Sequence, residues 1–390
     1  MSALAVTLAN LGDEVTGADR TLGTKTIREL ESLGIQCYPD DGTGVDGTVD
    51  EVIVSTAIEE TNPGLEAAKA FGIPVTHRAQ ALARALGGRK LVAVAGTCGK
   101  STVTAMLGHI LAACGFDPLC VNGARVVDWH GAMRFGRGEY AVAEVDESDK
   151  SLVAFHPYAA IITNASADHY SKDEMDRVFD AFIADVKGPV IDGRLPDSSG
   201  LALPECAMPG EHNRANALLA LRMALALGCD EDAARRALAA FGGVERRMQR
   251  YGENVYDDYA HNPEKLRAMW KALSSLNPGR GVCAVWRPHG YGPLRKMMPD
   301  LVDMFNEVVR ECDKLLLLPV YDAGGTADRT INSRDLAASL KAGLALCVDS
   351  LDAAYEWMNA RRGNFAAFAV CGARDPELPA LAARLAGVRS

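Results

Sequence analysis

Gly96-Thr97-Cys98-Gly99-Lys100-Ser101 is the segment of this chain best equipped for chemistry. An apolar run, Lys90–Ala95, leads straight into it, and a helical pattern, Thr102–Cys114, leads out. A glycine-rich turn between a strand and a helix points backbone N–H groups at phosphate oxygens. The lysine of such a loop neutralises β- and γ-phosphate charge, and the hydroxyl after it ligates Mg²⁺. The general phosphate-loop pattern wants a glycine four residues before Gly99, where Val94 or Ala95 stands, so the loop is of a special type. A second candidate is Glu144-Val145-Asp146-Glu147-Ser148-Asp149, at the end of an expected strand. Most acidic runs are solvated loops. This one also suits Mg²⁺, which takes one or two carboxylates and completes its shell with phosphate and water. A third is Thr163-Asn164-Ala165-Ser166-Ala167-Asp168-His169, again at a strand end, where open α/β sheets bind ligands. Further clusters are Gly210–Ala217, Glu245-Arg246-Arg247, Asp257–Pro263 and Arg287–Tyr291. Each is an ordinary cap, turn or surface group when taken alone. Asn213 and Asn216 stand one helical turn apart, so they could address one ligand together.

The elements that must position these residues read as βαβ alternation, hence parallel sheets covered by helices. In the first segment helices are expected at Ser2–Leu11, Thr26–Leu33 and Pro63–Phe71, with strands ending at Asp19 and Val54 and another beginning at Ile73. A doubly wound domain starts with a strand and a glycine turn. Here the chain starts inside the first helix, so the first domain is expected to lack both. The second unit has strands at Lys90–Ala95, Tyr140–Val145 and Ala159–Thr163, a loop over Gly188–Pro209, and helices at His212–Leu227 and Asp230–Ala240. Gly242-Gly243 marks a boundary. The third unit has strands at Asn254–Asp257, Gly281–Trp286, Lys314–Pro319 and Ala366–Cys371, and helices at Pro263–Leu273, Pro299–Glu311, Ser333–Ala342 and Leu351–Ala360.

Length and composition exclude several classes. At about 100–200 residues per domain, 390 residues imply two to four domains. With 48% hydrophobic and 24% charged residues the chain is globular, neither disordered nor fibrous. A net charge of -10 argues against nucleic acid or an anionic membrane as partner. The ten cysteines are scattered with no C-x-x-C pair, so neither a zinc ribbon nor a dithiol redox motif is expected. Reduced thiols, the lack of a membrane-length apolar run and an N-terminus that reaches Asp13 and Glu14 early all point to the cytoplasm. The oligomeric state is open.

In this order, the segments resemble the Mur ligase family, the ATP-dependent amide ligases of cell-wall synthesis. The resemblance rests on Gly96–Ser101 against G-T-x-G-K-[ST] and on Asp146-Glu147-Ser148-Asp149. It rests equally on Thr163-Asn164 with Asp168-His169, Gly210 with His212-Asn213 and Asn216-Ala217, Arg246-Arg247, and Asp258-Tyr259-Ala260-His261. It implies an α/β protein of three domains. These are a truncated Rossmann-like UDP-sugar-binding domain (1–87), a central P-loop ATPase-like parallel sheet (88–243) and a Rossmann-like C-terminal amino-acid-binding domain (244–390). The implied reaction phosphorylates a UDP-muramoyl carboxylate with ATP. The amino group of an amino acid, L-alanine foremost, then displaces phosphate from the acyl phosphate. In that scheme Gly96, Thr97, Cys98, Gly99, Lys100, Ser101 and Thr102 bind the nucleotide phosphates, with Lys100 stabilising the transferring phosphoryl group. Ser101 and Glu147 hold one Mg²⁺, with Glu144 as the alternative ligand, and His169 holds a second. Asn213 and Asn216 face the adenine, Asp258 the ribose, and Arg247 the phosphates.

Three departures qualify the resemblance. The N-terminal strand and glycine turn that grip the UDP diphosphate are missing, so UDP-sugar affinity is expected to be weak. The stretch from His169 to His212 is short, so the central domain has lost strands. The family's amino-acid motif, P-H-R-Y-x-R, reads Pro288-His289-Gly290-Tyr291-Gly292-Pro293, without either arginine. A buried substrate carboxylate needs a cationic or multi-donor partner. The candidates are Tyr259, His261, His289, Tyr291 and Arg295, and Arg295 alone is permanently charged, so it is expected to replace the lost guanidinium. Two alternatives stand beside this reading: a ligase for another carboxylate and amine, and a non-catalytic nucleotide-binding remnant. The intact Lys100, Ser101, Glu147 and His169 favour a ligase.

Overall fold

A computed structural model describes residues 1–146, 151–165, 172–322 and 328–388. The chain divides into two compact units, Met1–Ala207 with Ala215–Gly242, and Met208–Arg214 with Gly243–Ser390. The second division thus falls at the expected Gly242-Gly243 pair. The first unit holds the first expected domain and the second one apart from Met208–Arg214, which fall in the other unit.

The first unit opens with α1 (Ser2–Leu11), β1 (Thr16–Asp19), α2 (Lys25–Ser32), β2 (Gln36–Pro39), β3 (Val52–Val54), α3 (Pro63–Phe71), β4 (Val75–His77) and α4 (Arg78–Leu86). Local chemistry sets the helix ends. Asn62 caps α3 by accepting from the N–H groups of Gly64 and Leu65, Pro63 fills the first turn, and Gly72 ends the helix with φ 69°. The strands form two separate parallel pairs, β1 with β2 and β3 with β4.

The rest of the unit contains β5 (Lys90–Ala95), α5 (Lys100–Ala113), β6 (Leu119–Val126), β7 (Gly131–Arg134), β8 (Tyr140–Glu144), β9 (Ala159–Ile162), α6 (Lys172–Ala184), β10 (Val190–Asp192), α7 (Glu211–Ala226) and α8 (Glu231–Ala240). The sheet order is β10-β9-β5-β8-β6-β7. All pairs are parallel except β6 with β7, so the expected all-parallel sheet carries one antiparallel edge. β5 is central and buried from Leu91 to Ala95, which is why it reads as an unbroken apolar run. Its neighbours β8 and β9 lie on opposite sides, so the chain changes direction at its carboxyl end.

The second unit contains β11 (Gln249–Tyr251), β12 (Val255–Asp258), α9 (Pro263–Leu276), β13 (Gly281–Trp286), α10 (Tyr291–Val308), β14 (Lys314–Leu317), α11 (Ser333–Ser339), β15 (Ala345–Cys347), α12 (Leu351–Asn359), β16 (Phe365–Cys371) and α13 (Leu378–Ala386). The order is β11-β12-β16-β13-β14-β15, parallel throughout except for β11. One face packs Trp270, Trp286 and Phe305, and the other packs Phe365, Phe368 and Leu381. α10 starts at Tyr291, well before the expected Pro299, and carries that proline inside it. Proline fits best in a first turn, which is why the sequence suggests a helix start there.

Candidate active site

The loop between β5 and α5 is fixed by its glycines. Gly96 has φ 125° and Gly99 φ 87°, backbone that side-chain-bearing residues rarely adopt. A Cβ on Gly96 would lie 2.1 Å from Thr163 Oγ1, and one on Gly99 would lie 2.6 Å from Asn216 Oδ1. The loop is strapped to the end of β9. Thr97 Oγ1 donates to Asn164 Oδ1 at 2.6 Å, Cys98 N–H donates to the same oxygen at 3.0 Å, and Asn164 Nδ2 and Thr163 Oγ1 both donate to the Cys98 carbonyl. Lys100 Nζ folds back onto the Gly96 carbonyl at 2.7 Å. Ser101 and Thr102 are buried in the first turn of α5. The structure therefore brings Gly96–Thr102, Thr163, Asn164 and Asn216 together at the carboxyl end of β5. That end is where a parallel sheet presents ligand sites. Thr163 and Asn164 were legible as a strand-end motif, but their role as straps was not.

Glu144 ends β8, opposite Val94 of β5, and accepts the Gly123 N–H at 2.7 Å. Glu147 and His169 lie outside the described residues. Among the described residues no group of three His, Cys, Asp or Glu side chains gathers to hold a metal unaided. Ser101, in the first turn of α5, and Glu144, at the end of β8, carry oxygen donors of the type that Mg²⁺ takes. A cavity of about 550 Å³ lined by Lys90, Glu139, Tyr158 and Lys187 lies at the amino ends of β5 and β8, away from the loop.

In the second unit Asn213 is buried and its Nδ2 donates to the Pro209 carbonyl at 2.7 Å, so that amide is committed to the helix start. Asp258 is likewise nearly sealed, accepting from Met248 N–H and Ala260 N–H, both at 2.7 Å. Burial raises its carboxyl above the ordinary range, against the pull of Arg247 and these bonds. Its neighbour Asp257 is fully buried, and burial pushes it up to about 7 although Arg246 Nε lies 3.2 Å away. Arg246 and Met248 both have left-handed backbone, and the guanidinium of Arg247 lies 5.3 Å from the Tyr259 ring. His261 Nδ1 meets the Tyr259 carbonyl at 3.0 Å, and its ring meets that of His289 edge-on at 4.9 Å. Burial, then Lys265, lowers His261 to about 4. His289 is lowered by burial, then by Arg374 and Lys265, and its Nδ1 is sealed with no partner among the described residues.

Three family profiles match the chain: "Mur ligase family, catalytic domain" over residues 1–90, "Mur ligase middle domain" over 94–184, and "Mur ligase, glutamate ligase domain" over 246–374. A UDP-N-acetylmuramate--L-alanine ligase of Burkholderia ambifaria is 34% identical across 88% of this chain and 85% of its own length. The chain belongs to the Mur ligase family. A ligase of the same name from Solidesulfovibrio magneticus is 31% identical over 87% of this chain and 85% of its own. The crystal structure of UDP-N-acetylmuramate-alanine ligase from Thermotoga maritima has the same fold, with a TM-score of 0.81 at 23% identity, covering 99% of this chain and 96% of that one.

Of the two departures from the expected amino-acid motif, Gly290 and Pro293, the backbone bears on the first. Gly290 has φ 153° and ψ 156°, a region open essentially to glycine alone, so an arginine could not stand there without strain. Arg295 sits exposed on α10, where Asp328 (2.8 Å) and Thr330 (2.8 Å) engage its guanidinium. The structure thus gives the residue expected to replace the lost guanidinium a surface ion pair. Tyr291 stands at the start of the same helix, with the Arg329 guanidinium 5.8 Å from its ring. Lys265 and Arg374, which act on the histidine pair, belong to no segment singled out in the sequence.

Proposed function

We propose that the chain is an ATP-dependent ligase that joins L-alanine to the carboxylate of UDP-N-acetylmuramate during the synthesis of peptidoglycan precursors in the cytoplasm. The observation that carries this reading is the loop Gly96–Ser101. Its two left-handed glycines, the buried Ser101 and Lys100 sit at the start of a helix, at the carboxyl end of a central parallel strand. The helix N-terminus and the loop N–H groups attract phosphate. Lys100 Nζ, which meets the Gly96 carbonyl within the loop, is the cation placed to turn onto a phosphoryl oxygen. There it offsets the charge that grows as the γ-phosphoryl passes to the carboxylate. Ser101 with Glu144 or Glu147 would hold Mg²⁺, which neutralises phosphate charge when bound. His169 remains the candidate for a second ion. Asn216 supports the loop from α7, and Arg247 is the candidate cation for nucleotide in the second unit. The half-buried His261 and His289, whose rings meet edge-on, are the candidate wall for the amino acid.

No helix among the described residues is long and apolar enough to cross a membrane. The altered Gly290 and Pro293 favour one competitor, a Mur-type ligase for another amine. Product mass spectrometry with UDP-N-acetylmuramate, ATP, Mg²⁺ and a panel of amino acids tests both. L-Alanyl amide with stoichiometric phosphate is the expected result. Amide with a different amine alone selects the competitor, and ATP binding without phosphate release for any pair sinks both.

A further inference from the structure

Three loops leave adjacent strands at one end of the second sheet. β16 lies between β12 and β13, so the loop after β16 sits between the loops that carry His261 and His289. That central loop carries Arg374. Its backbone is left-handed, φ 67°, in a tight turn closed by the Asp375 N–H on the Ala373 carbonyl at 2.8 Å. Strained backbone of this kind persists where the surrounding structure holds it, and such sites cluster at ligand clamps. Asp375 supplies the anchor, since it is buried, ion-paired to Arg287 at 2.6 Å and accepts the Glu377 N–H. Arg374 itself is exposed and makes no hydrogen bond or ion pair among the described residues. Its charge nevertheless reaches His289, as does that of Lys265, and both act in the same sense. No carboxylate is among the groups acting on His289. The result is a cationic sheet end at which two histidine rings meet, 4.9 Å apart, and where the sealed Nδ1 of His289 lacks a partner among the described residues.

We infer that Arg374, with Lys265 beside it, holds the carboxylate of the incoming amino acid over the His261–His289 pair, the task the sequence suggests for Arg295. The assignment rests on the ligase reading for the identity of its ligand. A guanidinium suits this task because it meets a carboxylate with two parallel N–H donors. Arg295 already turns its Nη2 to Asp328 and Thr330 on the exposed side of α10. Position 290 cannot carry an arginine on its present backbone.

The test compares L-alanine with L-alaninol, in which CH₂OH replaces the carboxylate, by ligand-observed NMR titration of the full chain, and measures amide formation in parallel. Arg374→Gly suits the left-handed backbone, so it removes the cation without disturbing the turn. It should weaken L-alanine about tenfold or more, in line with the loss of a charge-assisted hydrogen bond, and leave alaninol unchanged. In turnover it should raise the amino-acid KM and spare the KM for ATP. Arg374→Lys should recover part of the loss, and Arg295→Ala should change nothing. L-Alanine binding undiminished in Arg374→Gly, or equal losses for alanine and alaninol, would overturn the inference. Arg374-dependent alanine binding by a protein that makes no amide would support it and overturn the ligase reading. Amide formation with an amino-acid KM indifferent to Arg374 would do the reverse. A wild-type protein that binds no L-alanine at all would overturn both.

Discussion

Gly96→Ala should disable the nucleotide loop and destabilise its unit, and the structure sets the size of the effect. At φ 125° a side chain costs about 1–2 kcal/mol in backbone strain alone. The new Cβ would sit 2.1 Å from Thr163 Oγ1, which must leave its 2.6 Å bond to the Cys98 carbonyl, at about 1 kcal/mol. It would also sit 2.9 Å from the Thr163 nitrogen and 3.0 Å from the Asn164 nitrogen. Those are backbone atoms that no rotamer change moves, and such overpacking costs about 1–3 kcal/mol. The total is about 3–6 kcal/mol, and at ~2–4 °C per kcal/mol the transition of this unit should fall by at least about 6 °C. Scanning calorimetry measures the shift, and titration with an ATP analogue measures the loop. Gly363→Ala is the control, because its Cβ meets nothing within 4 Å and its backbone is not left-handed. It should stay within about 0.5 kcal/mol of wild type. A Gly96→Ala protein that melts within about 2 °C of wild type and binds the analogue as tightly would refute the reasoning.

Lys100→Ala should lower ATP turnover by about 10²–10³ if the ammonium stabilises the transferring phosphoryl group, measured by phosphate release. Asp313→Ala should destabilise the second unit by about 3–5 kcal/mol in urea denaturation, since it strands the Trp270 indole N–H, the Val282 N–H and Arg310, which this buried carboxylate now accepts. Asp257 and His261 should give opposite pH slopes. Asp257 binds its proton up to about 7 when folded but only to about 3.8 unfolded, so its contribution to stability falls as pH rises through that window. His261 is neutral down to about 4 when folded and to 6.5 unfolded, so its contribution falls as pH drops from 6.5 to 4. Melting curves should therefore show Asp257→Asn losing the alkaline-side decline and His261→Gln losing the acid-side decline, and a reversal of either slope would contradict the assignment.

Local patterns carried most of the fold. β5 is legible because a strand buried on both faces has no alternation to hide it, and α3 because Asn62, Pro63 and Gly72 each mark an end. The edge elements were not legible. β7 and β11 are short, antiparallel and half-exposed, so their apolar content is too low to show a period. β15 spans Ala345–Cys347, just beyond the expected helix Ser333–Ala342, which in the structure ends at Ser339. α10 was misplaced because Pro299 is an interior residue of an amphipathic helix whose glycine-rich start, Gly290 to Pro293, looks like a turn.

The site divides along the same line. Gly96–Ser101 could be read because all its chemistry lies in one unbroken strand, loop and helix. Thr163 and Asn164 are 67 residues from Thr97 in the case of the Thr97–Asn164 bond, and their part in it depends on β9 lying beside β5. The histidine pocket is harder still. Tyr259 and His261 follow β12, His289 follows β13, and Arg374 follows β16. Sequence proximity therefore favours Arg295 as the partner for His289. The strand order β12-β16-β13 reverses that preference, because it places the last strand of the sheet between the two earlier ones. A residue at 374 then lies on the loop between the two histidine loops, whereas Arg295 lies on the helix that follows one of them. The carboxylate-binding charge of this ligase is thus a property of strand order, and a motif search confined to the neighbourhood of Gly290 could not have found it.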